Sequence, residues 1–438
     1  MKKVSLFLVL TLMISMLAAC GGNSNNGANG NTGTTPVGNN GNAGSGEKVK
    51  IDFWHSMGGS NGEAIAAMVK RFNDANPSIE VVETFQGSYP ETVTKLQQAA
   101  ASNQAPEVAM IERGFVELFS DAEVLADLGP VIEGAGLSQA DFVQGLMGDT
   151  EQNGTLISLP FNRSTPIMHV NKTILDELGM DIPTNWDELE AVAKAAIVKN
   201  GSETTRYGLT MPYDTWYPIA MVQQLGGTVF DESNTTTPFI TDGKGKQVFE
   251  FLKKLQNDGA LFYPPAADSG SIVNSMFTEG KVAILFQSTG TIGGLLKGVD
   301  FDYVTAFLPQ NVQYSNPTGG GNIVMFEESK NKQAGEVFMQ WLLTDAAGAE
   351  QFVIDTGYLP FTHKMVESDA IKELWSQEPI RETAYKQLEF ANDTNKDLAW
   401  PSIQPEFFSA IEAIMYDNED IDATLAKFQQ NAERLLAE

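Results

Sequence analysis

Between residues 48 and 111 apolar strands and amphipathic helices alternate, and this order restricts the chain to a sheet with helices packed on its faces. Residues 48–54 (KVKIDFW) begin as an alternating strand and turn fully apolar. A Gly/Ser turn follows, then a helix from about Gly62 with Ile65, Met68, Val69 and Phe72 on one face, stopped by Asn76-Pro77. Residues 79–85 read as the next strand, 91–101 as a helix and 108–111 as a short buried strand. This β-α-β-α-β succession predicts an α/β domain with a largely parallel sheet.

Later segments keep the style. Short strands are predicted at 156–159 and 167–170, around Pro160, and a buried strand at 282–286. A helix is predicted over 185–199, with Asn185 or Thr184 as its cap and Trp186 opening its apolar face. Further helices are predicted at 248–255, 334–343 and 423–436.

This core has to hold without disulfides, because Cys20 is the only cysteine in 438 residues. The length supports two domains of ordinary size. Cys20 closes the run Leu17-Ala18-Ala19-Cys20-Gly21, downstream of Lys2, Lys3 and an apolar stretch from Val4 to Leu17. The layout is that of a secretory signal peptide, too short to span a bilayer. The cysteine after small residues resembles a bacterial lipobox. That resemblance implies removal of residues 1–19, a diacylglycerol anchor (with palmitate among its acyl chains) on Cys20, and a place on the outer face of the cell membrane. Residues 21–46 carry one sizeable aliphatic side chain, Val37, and no charge. We therefore expect 20–47 to be an acylated cysteine and a disordered tether with a reach of about 28 Å.

Lys and Arg number 28 against 56 Asp and Glu, a net charge of −28. Such a body repels nucleic acid and anionic lipid, so neither is an expected partner. Gly58-Gly59-Ser60-Asn61-Gly62 fits the G-x-S-x-G of a nucleophile elbow, but a Gly-rich β-α turn needs the same residues for its backbone and helix cap. His55, His169 and His363 lie far apart in sequence, no calcium-loop spacing appears, and no phosphate-cradling loop is present. No metal, cofactor or catalytic residue is expected. Paired carboxylates could still serve a surface-anchored hydrolase of polysaccharide or phosphodiester, which stands as the alternative.

Aromatic, hydroxylic and glycine residues recur at loop positions. They include Trp54-His55-Ser56, Gly87-Ser88-Tyr89, Asn162-Arg163-Ser164-Thr165, Asp214-Thr215-Trp216-Tyr217, Ser288-Thr289-Gly290, Gly319-Gly320-Gly321 and Thr356-Gly357-Tyr358-Leu359-Pro360. Aromatic faces stack on sugar-like ligands while hydroxyls and backbone N–H groups take their oxygens.

Four segments in this order, Phe53–Met57 (FWHSM), Arg71-Phe72-Asn73 to Asn76-Pro77, Pro160–Pro166 (PFNRSTP) and Thr356–Pro360 (TGYLP), resemble the extracellular solute-binding proteins of ABC importers, in the branch that takes glycerol phosphate and sugars. The resemblance covers about residues 48–437. It implies a two-lobe periplasmic-binding-protein fold of the maltose-binding type, closing on ligand about hinge crossovers near 159–167, 286–290 and 320–325. The N-lobe is expected at 48–160 plus 287–321 and the C-lobe at 163–285 plus 323–438. Tyr89, Glu112, Ser164, Trp216, Ser288, Gly320 and Tyr358 fall where the family contacts ligand, and His55 is a further candidate. The family's phosphate-holding arginine aligns near Gln404, leaving Arg163 as the residue that could replace it. The implied ligand is glycerol-3-phosphate, a glycerophosphodiester or a sugar. The implied partners are membrane permease subunits, and the protein is expected to be a monomer.

Overall fold

A computed structural model describes residues 48–392 and 399–438. The signal, Cys20 and tether expectations lie outside the described residues. Among those described, no helix is long and apolar enough to cross a membrane.

Two mixed sheets organise the body. In the first, strands Ile79–Phe85, Val49–His55 and Val108–Glu112 run parallel, and Gly319–Met325 and then Leu159–Ser164 add antiparallel. In the second, Leu261–Phe262, Glu203–Thr210 and Val282–Ser288 run parallel, and Pro166–Asn171 and Tyr303–Ala306 add antiparallel. The strands are therefore less uniformly parallel than the sequence pattern predicts, since a connection between lobes can re-enter a sheet in either direction.

Each sheet carries its own core. In the first lobe Phe338, from helix Lys332–Thr344, packs edge-on against Phe53 at 5.6 Å and Phe72 at 5.0 Å. In the second lobe Phe407, from helix Trp400–Met415, meets Phe428 of helix Ile421–Leu436 at 5.0 Å. Full burial of a phenylalanine contributes about 1.5–3 kcal/mol, so these rings hold the helices to their sheets. Local signals set helix starts: Asn185 Oδ1 accepts from Glu188 N at 3.0 Å, capping helix Trp186–Ala195.

Thr165 alone separates strand Leu159–Ser164 of one sheet from Pro166–Asn171 of the other, so the chain crosses between lobes inside the expected 159–167 window. Thr289 N donates to Thr165 O at 3.0 Å, and Gln387 Nε2 reaches Thr165 Oγ1 at 3.1 Å and Pro166 O at 2.7 Å. The sequence places a strand break at Pro160, and the structure corrects this: the strand runs through it. Pro160 lies within Leu159–Ser164, the outer member of its sheet, where a missing N–H is tolerated.

The later lobe boundaries need correction. Tyr303–Ala306, expected in the N-lobe, pairs with Pro166–Asn171 and belongs to the second sheet. Gly319–Met325 pairs with both Val108–Glu112 and Leu159–Ser164, and helix Lys332–Thr344 packs on that first sheet, although 323 onward was assigned to the C-lobe. The chain thus reaches the first core at Ile292, just past the crossover expected near 286–290, returns to the second sheet at Tyr303–Ala306, rejoins the first at Gly319–Met325 and is back in the second core at Trp400.

Candidate functional site

The first strands of each sheet end in loops that face a cleft of about 470 Å³, within the usual range for a small-molecule site. Tyr89, Glu112, Ser164, Trp216, Ser288, Gly320, Tyr358 and Gln404 all line it. They arrive from distant stretches. Glu112 ends strand Val108–Glu112, Ser164 ends Leu159–Ser164, Ser288 ends Val282–Ser288, and Tyr89 and Trp216 open helices Tyr89–Ala101 and Trp216–Gln224.

Glycines let rings from one side lie on backbone from the other. A Cβ on Gly319 would sit 2.6 Å from the Trp216 ring, and one on Gly114 would sit 3.2 Å from Trp400. Gly320 takes a positive φ of 86°, and a Cβ there would fall 1.9 Å from Asn162 O. Ser288 Oγ accepts from Gly290 N at 3.1 Å, which leaves its own hydrogen to point elsewhere.

The charges are unevenly spread. Among the described lining residues Arg113 is the single Lys or Arg, and its guanidinium is ion-paired with Asp149 and also bonds Thr318 O at 3.4 Å. Two carboxyls, Glu112 and Asp214, line the same space. Burial pushes Glu112 up to about 7, against the pull of Arg113 and a bond from Gly114 N, with Asp149 and Asp214 adding to the rise. Burial also raises Asp214, although the backbone N–H groups of Trp216 and Thr215 lower it in part.

A raised carboxyl contributes stability that is full below its unfolded value near 4.5 and is lost as pH rises through about 7. Ligand binding runs the other way if a ligand hydroxyl donates to the carboxylate. Affinity is then expected to climb between pH 6 and 8, and Glu112→Gln to flatten that profile in calorimetric titrations. A wild-type affinity independent of pH across this range contradicts the assignment.

Two candidates lie elsewhere. His55 is buried and absent from the cleft wall: it continues the inward face of Ile51 and Phe53, its Nε2 lies 2.9 Å from Glu83 Oε2, and its Nδ1 accepts from Met57 N at 3.2 Å. Arg163 is fully buried, with Nη2 2.7 Å from Thr318 Oγ1 and Nη1 3.4 Å from Asn322 Oδ1. Strand alternation puts Arg163 on the face opposite its cleft-lining neighbour Ser164, so it points neither into the cleft nor to solvent. Ser60 of the elbow-like motif is exposed in the first turn of helix Gly59–Ala75, and both nitrogens of His55 are engaged elsewhere, so the two form no nucleophile–base pair. Among the described residues no group of three His, Cys, Asp or Glu is placed to hold a metal.

Sequence reasoning passed over Arg113, Trp400 and Phe408 as wall residues. Arg113 was adjacent to a chosen residue at the end of a short apolar strand. Trp400 and Phe408 sit on a helix whose spacing reads as plain core, and Trp400 is indeed both, meeting Phe230 edge-on at 6.0 Å.

The family model of bacterial extracellular solute-binding proteins matches residues 67–380. The sn-glycerol-3-phosphate-binding periplasmic protein UgpB of Rhizobium meliloti (strain 1021) is 24% identical over 421 residues, covering 89% of this chain and 94% of that protein. Among solved structures, UgpB from Mycobacterium tuberculosis in complex with glycerophosphocholine superposes with a TM-score of 0.78 at 22% identity, covering 89% of this chain and 99% of that one. The maltose/maltodextrin-binding domain MalE of Bdellovibrio bacteriovorus, bound to maltotriose, gives 0.77 at 19% identity, over 89% and 100%. The fold is accordingly the two-lobe, maltose-binding-protein-like periplasmic-binding-protein fold.

Proposed function

The chain belongs to the bacterial extracellular solute-binding proteins, and from that premise we propose that it is the receptor of an ABC importer, capturing a small polyhydroxylated ligand between its lobes for delivery to a membrane permease. The ligand carries no net negative charge: a neutral sugar, or a glycerophosphodiester whose phosphate is balanced by a cationic group. Relatives of this fold are described with glycerophosphocholine and with maltotriose. We further propose that acylation of Cys20 anchors the protein to the outer face of the membrane, a reading that metabolic labelling of the protein with radioactive palmitate checks. Residues 21–46 then act as the leash.

One observation carries the ligand class. The cleft offers aromatic faces, hydroxyls and two carboxyls, while its arginine is already paired with Asp149. A phosphate monoester needs a charged grip. Where the family's arginine aligns, Gln404 supplies a neutral amide, and Arg163 is buried behind the wall. Charge-assisted bonds contribute about 1.5–3 kcal/mol and neutral ones about 1. Gln404→Arg is therefore expected to strengthen binding of glycerol-3-phosphate by roughly two- to thirtyfold, with little gain for maltotriose, in isothermal titration. Tight binding of glycerol-3-phosphate by the unaltered protein, or no gain in the variant, sinks this reading.

A further inference from the structure

Asn162 lies outside the cleft wall, and its side chain is fully buried in the outer strand Leu159–Ser164. It stands opposite Gly321, where the ladder slips register between Gly321 and Asn322. The slip leaves Gly321 N–H to be satisfied by a side chain, and Asn162 Oδ1 accepts from it at 2.9 Å. A backbone N–H can only donate, so this contact fixes which way the amide faces. Its Nδ2 is thereby turned to Tyr89 Oη at 2.8 Å, with Met57 Sδ at 3.7 Å.

We propose that Asn162 is a positioning residue that sets the hydrogen-bond polarity of Tyr89, making that phenol a donor toward the ligand. Because Tyr89 Oη accepts from Asn162, its own hydrogen is left for the cleft that the ring lines. Tyr89 is held in place independently, at the first position of a helix started by Ser88, whose N and Oγ both donate to Glu91 Oε2 at 2.7 and 2.8 Å. The second wall tyrosine, Tyr358, also meets the Asn162 side chain, but its Oη has other partners besides, lying 3.1 Å from Met57 Sδ and accepting from Asn61 Nδ2 at 3.4 Å. The ligand must therefore present a lone pair to Tyr89 and a hydrogen to the Glu112 carboxylate, a pairing that a hydroxylated carbon chain beside an ether or ester oxygen satisfies. This inference rests on the receptor reading for the identity of the cleft as a binding site.

Asn162→Asp tests it. An ionised aspartate accepts from both Gly321 N and the Tyr89 hydroxyl, which withdraws the phenol hydrogen from the cleft. A protonated one can donate to Tyr89 again. Tyr89, Tyr358, Glu112 and Arg163 are the titratable or charged groups nearby, so each measurement is compared with wild type at the same pH. With glycerophosphocholine and maltotriose as probes, Asn162→Asp is expected to bind about tenfold more weakly than wild type at pH 8. At pH 5.5 it returns toward the wild-type value. Tyr89→Phe loses as much without that recovery, and the double variant is no worse than Tyr89→Phe alone. In ligand-free protein carrying ¹³C-tyrosine, the Tyr89 Cζ resonance shifts in Asn162→Asp at pH 8 and returns at pH 5.5. Unchanged affinity at both pH values, loss without recovery, or a Cζ resonance that does not respond overturns the proposal. If neither probe binds wild type, the receptor reading fails for these ligands and the resonance alone decides the role of Asn162.

Discussion

Trp216→Ala is expected to weaken ligand binding by more than tenfold while moving the melting temperature by only a few degrees. The ring opens helix Trp216–Gln224, lies over the Gly319 backbone and meets Tyr217 edge-on at 5.9 Å. It is partly exposed to the cleft rather than sealed in the core, so truncation removes little of what holds the second lobe together. A tryptophan face offers some 150–250 Å² of contact, and aromatic anchors of this kind carry about 2 kcal/mol or more of binding energy, which exceeds a factor of ten. Calorimetric dissociation constants beside a thermal melt separate the two effects. Unchanged affinity places the site elsewhere, and a collapse in melting temperature makes Trp216 a structural residue.

The second large effect is at Gly320. Its φ of 86° suits glycine, and an added Cβ would meet Asn162 O at 1.9 Å and Arg163 Cα at 3.2 Å. Neither contact can relax by rotating a side chain, because both belong to the neighbouring strand of the ladder. Left-handed backbone costs alanine about 1–2 kcal/mol and the overlap at least as much again. Gly320→Ala is expected to lower the melting temperature by roughly 5 °C and to abolish measurable binding. Ser164 pairs with Gly319 and Asn162 with Gly321 across this step, so a displaced strand moves both the wall and the groups behind it. Gly134→Ala serves as a control outside the cleft, where the nearest atom is the end of the flexible Gln340 side chain. Wild-type binding and melting in Gly320→Ala would show that the strand accommodates the side chain.

Much of this was legible in the chain. Strand Val49–His55, helix Gly59–Ala75 and strand Val108–Glu112 follow from local periodicity, and the crossing at Thr165 falls between Pro160 and Pro166 as expected. Eight of ten cleft candidates line one cavity, and five of them, Tyr89, Glu112, Ser164, Trp216 and Ser288, sit at strand ends or helix starts, where both sheets open on the same space. The rest depends on partners far away in sequence. An amphipathic helix such as Lys332–Thr344 records which face is apolar but not which of two similar sheets it covers, so the lobe boundaries after Gln287 were misplaced. Arg163 and His55 failed for a related reason. A polar residue inside a motif invites a functional role, yet Arg163 is absorbed by Thr318 and Asn322, and His55 by Glu83. Their partners belong to other strands or to the segment leading into one.

The central claim is that this cleft captures a polyhydroxylated ligand without net negative charge, and isothermal titration of the purified protein with maltotriose, glycerophosphocholine and glycerol-3-phosphate tests it most directly. The account predicts saturable one-to-one binding of maltotriose or glycerophosphocholine, at least tenfold weaker binding of glycerol-3-phosphate, and loss of the signal in Trp216→Ala. Preference for glycerol-3-phosphate, binding that survives Trp216→Ala undiminished, or no binding of any of the three would contradict it.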